Sequence, residues 1–449
     1  MTLLDRPREA MPLERALVDR VHAAVGEALA ARHGADEAAG RPRLERDDEE
    51  ALAEALLADE LRRLRAEALG AGRVPLEAPA EAALRSAVMD RLFGLAGIQP
   101  HLDDPEVRDI HISGARPVWL ARRDGTKVQA PPVVASDAEL VELVATAARR
   151  MGRSERRWDH AHPELNLRLP NGDRLHALMA VTGRPVVTIR RHDFSALSRV
   201  AHLVDAGLFS IAIGAFLVAV VRARLSLIVA GGTGTGKTTS LRCLINEIPP
   251  GERLLTVEDS LELGLEHFED LHPDYEAIEA REANTEGQGA FSLADGVRAG
   301  LRMNPDRVIV GEIRGGAELL SMLLAMSQGN DGSMCSLHAD SSAGVFSRLA
   351  MYAAMTPERL APDVTARLVA EAVQVVVHLG WVDGVRRVTS IREVTGVSDA
   401  GQVASNEVWR PGPYGRAVPH MPLSQPTLAR LVEAGFDARL LRAEGGWRR

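Results

Sequence analysis

The spacing of hydrophobic positions along this chain changes character twice. Over residues 1 to about 75 they recur at helical intervals, as at Leu52, Leu56, Leu57, Leu61 and Leu64, in a stretch rich in Ala, Arg and Glu. Asp47, Asp48, Glu49 and Glu50 place acids where a helix dipole favours them and predict a helix start. Residues 33–48 predict a flexible link. This part reads as a solvated helical extension without chemistry of its own. From about 76 to 204 the pattern is mixed. A helix is predicted over 81–96 and another over 137–151, with short strand-like runs at Ile110–Ile112, Val118–Leu120 and Leu175–Leu178. Asn171-Gly172, between Leu167-Arg168-Leu169 and Arg174-Leu175, predicts a hairpin turn. The expectation is a small α+β domain. From 205 to about 400, strand-length runs become apolar throughout: Leu225–Ala230, Leu254–Val257, Val308–Val310, a weaker Ser333–Leu337, Val373–Leu379 and Val388–Val394. Strands without alternation need cover on both faces, which predicts a parallel sheet in an α/β layer. Thr238–Asn246 reads as the helix after the first of them. No repeat of 20–50 residues is present, and 401–449 is a Pro- and Gly-rich tail with no readable pattern.

Composition narrows the class. With 449 residues, 46% hydrophobic and 26% charged, two or three globular domains are expected. A net charge of -9 argues against general nucleic-acid binding, and 4% aromatics leave few platforms for stacking bases. Two cysteines make no disulfide framework, so a reducing cytosol is the simpler reading. The first residues, Met1-Thr2-Leu3-Leu4-Asp5-Arg6, lack the apolar core of a signal peptide. The longest apolar run, Leu208–Val221, is 14 residues closed by Arg222, short of the roughly 20 that span a bilayer. Contact with a membrane is therefore expected only through partners.

One segment carries specific chemistry. Gly231-Gly232-Thr233-Gly234-Thr235-Gly236-Lys237-Thr238, followed by Thr239, fits the phosphate-loop pattern GxxxxGK[ST] between a predicted buried strand and a predicted helix. Lys237 is one of two lysines; the other 51 basic residues are arginines. A compact ammonium reaches phosphate oxygens from inside a tight loop better than a planar guanidinium. ATP is the expected ligand, with Lys237 on the β/γ-phosphates and Thr238 on Mg²⁺. Glu258-Asp259 and Glu312 follow predicted strands, where a parallel sheet collects its ligands. Glu312 is expected to position or activate water, and Glu258 to belong to the metal shell. His338, at another strand end, could sense the γ-phosphate by hydrogen bonding. Arg174, Arg190, Arg191, Arg298, Arg302 and Arg314 are each expected, taken singly in so Arg-rich a chain, to be solvated surface charge.

Longer motifs sharpen this. Leu301-Arg302-Met303-Asn304-Pro305-Asp306-Arg307-Val308-Ile309-Val310-Gly311-Glu312-Ile313-Arg314-Gly315 resembles the Walker B segment of the type II/type IV secretion ATPase superfamily. Thr256–Leu263 resembles its acidic box, and Gly332–Ser341 its His box, in the family's order. Upstream, Leu102–Gly114, Arg168–Arg174 and Thr188–Arg191 resemble its N-terminal domain and arginine-bearing strands. The resemblance covers about 85–395 and is nearest the Tad (tight-adherence, Flp-type) pilus branch, whose relatives, like this chain, lack a four-cysteine zinc cluster. It implies a RecA-like P-loop core and a homo-hexamer at the cytoplasmic face of the inner membrane. Polytopic platform proteins would be its partners, with no direct nucleic acid. It implies that Arg174 and Arg190 reach phosphates and that His338 is functional. Asp340 stands where the family usually has Asn.

Overall fold

The computed structural model describes residues 15–42, 44–151, 158–191, 197–281, 283, 287–442 and 447. The chain divides into two units at residue 191.

In the first unit, α1 (Arg15–Ala38), α2 (Arg46–Gly70) and α3 (Ala78–Leu92) share one core built from Val21, Val25, Leu57, Leu61, Leu84 and Val88. Leu57 and Leu61, from the helical repeat, are its centre. Asp47, Asp48 and Glu49 occupy the first turn of α2, where the dipole favours them. Two expectations change here. The link is confined to residues between Ala38 and Arg46, because apolar spacing in α1 continues past residue 33. The helix assigned by sequence to the α+β domain is α3, which packs with the extension.

A short α4 (Gln99–Asp103) leads into β1 (Val107–Ser113), β2 (Val118–Arg122), β3 (Lys127–Ala130), α5 (Asp137–Met151), β4 (Glu164–Arg168), β5 (Arg174–Leu178) and β6 (Val186–Arg190). The strands form one antiparallel sheet in the order β3-β2-β1-β6-β5-β4. Its alternating burial, as in β5 and β6, leaves one face on a core containing Ile110, Leu140, Leu175 and Ile189. Gly172 takes φ +88 in the predicted hairpin turn.

The second unit runs α6 (Val200–Asp205), α7 (Ile211–Arg222), β7 (Leu227–Gly231), α8 (Lys237–Ile245), β8 (Leu254–Glu258) and β9 (Tyr275–Glu279). It continues through α9 (Leu293–Gly300), β10 (Arg307–Ile313), α10 (Gly316–Ser327), β11 (Met334–Leu337), α11 (Gly344–Ala354) and α12 (Pro362–Ala372). It ends with β12 (Val375–Val382), β13 (Val385–Val397), β14 (Val403–Pro411), β15 (Ala417–Pro419) and α13 (Gln425–Glu433). Nine strands form one sheet, β15-β14-β13-β12-β7-β11-β10-β8-β9. The segment from β12 to β9 is parallel, and β13, β14 and β15 add antiparallel strands at one edge. Adjacent residues of β7 enter different cores: Leu227 and Val229 one, Ile228 and Ala230 the other. That two-sided cover is why the run reads apolar throughout. This is the α/β, RecA-like P-loop core.

The expected tail at 401–449 is not separate. Trp409 is fully buried, with its ring centroid 4.8 Å from that of Phe216 in α7 and Phe436 also against Phe216. The core therefore extends past 400, and it begins after Arg191 rather than at 205. At the opposite end of the strands from the phosphate loop, Arg307, with no solvent exposure, donates to both oxygens of Glu252 at 2.8 and 2.6 Å. Cys243 and Cys335 are both free and buried, and burial pushes each thiol up to about 12. Among the described residues, no helix is long and apolar enough to cross a membrane.

Candidate nucleotide site

β7 delivers the chain into the loop Gly231–Gly236, and α8 starts at Lys237. Two glycines are required by geometry. A side chain at Gly231 would lie 2.5 Å from the Leu379 carbonyl oxygen and 2.7 Å from Thr235 Oγ1. Gly236 takes φ +96 as the N-cap of α8, a left-handed conformation that disfavours any Cβ. Thr235 Oγ1 donates to the Gly232 carbonyl at 2.9 Å and braces the loop. Gly232, Thr233, Gly234, Thr238 and Thr239 complete it, with Thr233 and Gly234 exposed. The loop thus opens onto the N-terminus of α8, where backbone N–H groups meet anions.

Lys237 is buried, and its Nζ donates to the Gly232 carbonyl at 3.1 Å. The same Nζ lies 3.2 Å from His338 Nε2 and 3.8 Å from Glu312 Oε1. Burial lowers the lysine's pKa, and the Glu312 carboxylate raises it. His338 Nε2 is 2.9 Å from Glu312 Oε1. A bare Nε2 accepts from the Lys237 ammonium and an Nε2–H donates to the Glu312 carboxylate, so each tautomer of His338 satisfies one of its two neighbours. Burial first, then the Lys237 charge, lowers the pKa of His338.

Glu312 reaches this position through an irregularity in its strand. Val310 pairs with Cys335 and Ile313 with Leu337, so β10 carries one residue more than β11 over that interval. Such a bulge re-aims side chains at the end of a strand. Ser336 Oγ fixes it by donating to the Gly311 carbonyl at 2.7 Å. A Cβ at Gly311 would stand 3.0 Å from Glu258 Cγ. Arg314 then bridges two acids: its Nε donates to Glu312 Oε2 at 2.7 Å, and a terminal nitrogen pairs with Asp259 Oδ2 at 2.7 Å. Arg314 is thus engaged with the site's acids, unlike the solvated charge expected of it.

Glu258 is buried at the end of β8, and its Oε2 accepts from the backbone N–H groups of Glu262 and Leu263 at 2.8 and 2.9 Å. In this structure that oxygen organises the acidic loop. His378, which no motif marks, supports the His338 loop: its Nε2 lies 3.2 Å from the Ala339 carbonyl, and its Nδ1 2.6 Å from Thr389 Oγ1.

Arg174 and Arg190 lie in the first unit. They stand opposite each other across β5 and β6, with Arg168 opposite Arg174 and Asp109 opposite Arg190. Arg190 donates to Asp109 at 3.3 Å. Among the described residues, no group of three or more His, Cys, Asp or Glu is arranged as a metal cage. A metal at the loop would share its ligands with bound phosphates, as Mg²⁺ commonly does.

A glycine loop with no room for a side chain at Gly231, a buried lysine at a helix N-terminus and a strand-end acid beside it define a P-loop nucleotide site. A family model for type II/IV secretion system proteins matches residues 94–388, and the chain belongs to that family. It is 31% identical over 326 residues to a Mycobacterium tuberculosis (strain H37Rv) protein named as a candidate conjugal transfer protein, covering 71% of this chain and 89% of that one. It is 30% identical over 342 residues to the type IV secretion system protein VirB11 of Brucella suis, covering 69% and 91%. Among solved structures, the sulphate complex of the Brucella suis VirB11 ATPase aligns with 70% of this chain and 96% of its own at a TM-score of 0.36 and 27% identity. The pilus retraction motor PilT with bound ADP aligns with 68% and 84% at 0.48 and 17%.

Proposed function

We propose that this chain is a Mg²⁺-dependent ATP phosphohydrolase, a hexameric motor powering Tad/Flp-type pilus assembly or type II-like protein secretion. The observation that carries the enzymatic part is the convergence of Lys237, Glu312 and His338 within 4 Å at the mouth of the phosphate loop. Family membership supports the secretion context. The Tad branch rests on the sequence resemblance alone.

Each residue has its own task. Backbone N–H groups of Gly232–Thr239 and the Lys237 ammonium bind the triphosphate. Thr238 would hold Mg²⁺, with Glu258 in its shell through water, and the ion would supply charge neutralisation at the phosphates. Glu312 orients a water toward the γ-phosphorus and accepts its proton as the bond to the leaving ADP oxygen breaks. His338, whose Nε2 lies 2.9 Å from Glu312, would donate from Nε2–H to a γ-oxygen when nucleotide is bound. Arg174 and Arg190 add positive charge at the phosphates. A cytoplasmic, membrane-peripheral position through platform proteins completes the proposal.

A second reading, a conjugation-type traffic ATPase for DNA or effector transfer, is favoured by relatives named for type IV secretion and conjugal transfer. A regulatory ATP-binding protein without turnover is the third reading, and Glu312→Gln addresses it. Hydrolysis should fall at least about 100-fold while nucleotide binding stays near wild type. Retained turnover in this variant would mean that Glu312 neither orients the water nor takes its proton.

A further inference from the structure

Resting on the nucleotide-binding reading above, we infer that Arg386 and Trp381, on the β12–β13 hairpin, form the nucleoside-side wall of the site. Arg386 grips the α-phosphate and ribose, and Trp381 holds its guanidinium in place.

The direction of the nucleotide follows from strand order. β7, which ends in the phosphate loop, has β11 and then β10 on one side and β12 and β13 on the other. The water-positioning acid and its histidine, Glu312 and His338, belong to the ends of β10 and β11. A triphosphate whose γ end faces them runs back across the loop, so its nucleoside end leaves on the β12 side. Two elements stand close to the loop there. The Leu379 carbonyl of β12 approaches to 2.5 Å of where a Gly231 Cβ would be, so the strand abuts the start of the loop. At the other end, the Cβ position of Gly236 is 3.7 Å from Arg386 Cδ and 3.7 Å from Leu208 Cδ1. Arg386 therefore lies along the last glycine of the loop, beside the α8 N-terminus.

The hairpin is built to hold it there. Asp383 and Gly384 take φ +52 and +74, the two positive angles of a tight hairpin turn whose twist matches its strands. Trp381 and Arg386 are cross-strand partners, and the guanidinium lies 5.2 Å from the indole centroid. Stacking on an indole reduces the freedom a long side chain loses on binding. The backbone N–H of Val388 donates to the Leu208 carbonyl at 3.0 Å, and Arg387 donates to the Gly207 carbonyl, tying the hairpin to the segment before α7. Trp381 is itself 55% exposed, and its indole carries the Arg386 guanidinium. A planar guanidinium with fixed donors suits a non-bridging α-phosphate oxygen and a ribose hydroxyl together.

The test is nucleotide binding by the full-length chain, with a fluorescent ATP analogue displaced by ATP and ADP, alongside steady-state hydrolysis. Arg386→Ala should weaken ATP and ADP binding about tenfold and raise KM to match, with kcat within about twofold. Trp381→Ala should show a smaller loss of the same kind, and Arg386→Lys a partial recovery. Unchanged affinity in folded Arg386→Ala, or a fall in kcat at unchanged KM, would overturn the assignment. Wild-type protein that bound no nucleotide would instead remove the reading on which it rests.

Discussion

Around Glu312, each carboxylate oxygen already has close partners: Oε1 the His338 Nε2 at 2.9 Å and the Lys237 ammonium at 3.8 Å, and Oε2 Arg314. Such a carboxylate is held in place but restrained as a base, so catalysis requires one of these partners to move. His338 is the mobile candidate, because it is more exposed than Glu312 and because phosphate oxygens compete for its proton. Its lowered pKa has a definite sign. The imidazole is neutral at and above its ordinary value near 6.5 and gains its proton only at more acid pH. Protonation there adds charge beside Lys237 and ties Glu312 more tightly. We predict that kcat/KM falls on acidification with a midpoint below about 6.5, and that His338→Gln lacks this limb. An identical acid limb in that variant would show that another group titrates. At this scale the sequence was legible where a residue belongs to a motif, as with Lys237, Glu312 and His338. It was not legible for Arg314, Arg386 or His378. An arginine in a chain with 51 of them carries no signal until its partners are known.

At the scale of elements, the parallel strands announce themselves because helices cover both faces. β14 does not, because three consecutive side chains in it meet polar partners, and β15 is only three residues long. Ser405, Glu407 and Asn406 face Arg392, Ser390 and Glu393 rather than a continuous apolar layer. Their alternation therefore looks like loop, although Trp409 sits in the main core. The same blindness applies to Arg307, an arginine at the first position of β10 that reads as surface and is fully buried. Its two bonds to Glu252, with a third from Arg307 to the Val221 carbonyl at 2.8 Å, join β10 to the end of α7 and the turn before β8. Arg307→Leu should destabilise the second unit by about 2 kcal/mol, because Glu252 loses its bidentate partner and keeps only Arg224 at 2.7 Å. The urea midpoint should drop with little change in slope, and the exposed Arg367→Leu should leave it nearly unchanged. Equal midpoints for the two variants would contradict a structural role for the buried Arg307–Glu252 pair.

At the scale of the whole molecule, the phosphate loop and the arginine row belong to different units. The second holds the phosphate loop and its acids. The first holds the Arg168–Arg174–Arg190 row, whose like charges face one another across adjacent strands. A motor in which those arginines serve the phosphates should work only when units are assembled around the nucleotide. The most direct test is ATP turnover per subunit measured against protein concentration, for wild type and Arg174→Ala, with nucleotide binding measured in parallel. Wild-type turnover should rise with concentration to a plateau. Arg174→Ala should bind nucleotide but turn over at least about tenfold more slowly at every concentration. Turnover that is independent of concentration and equal in the two proteins would contradict an assembled motor completed by these arginines.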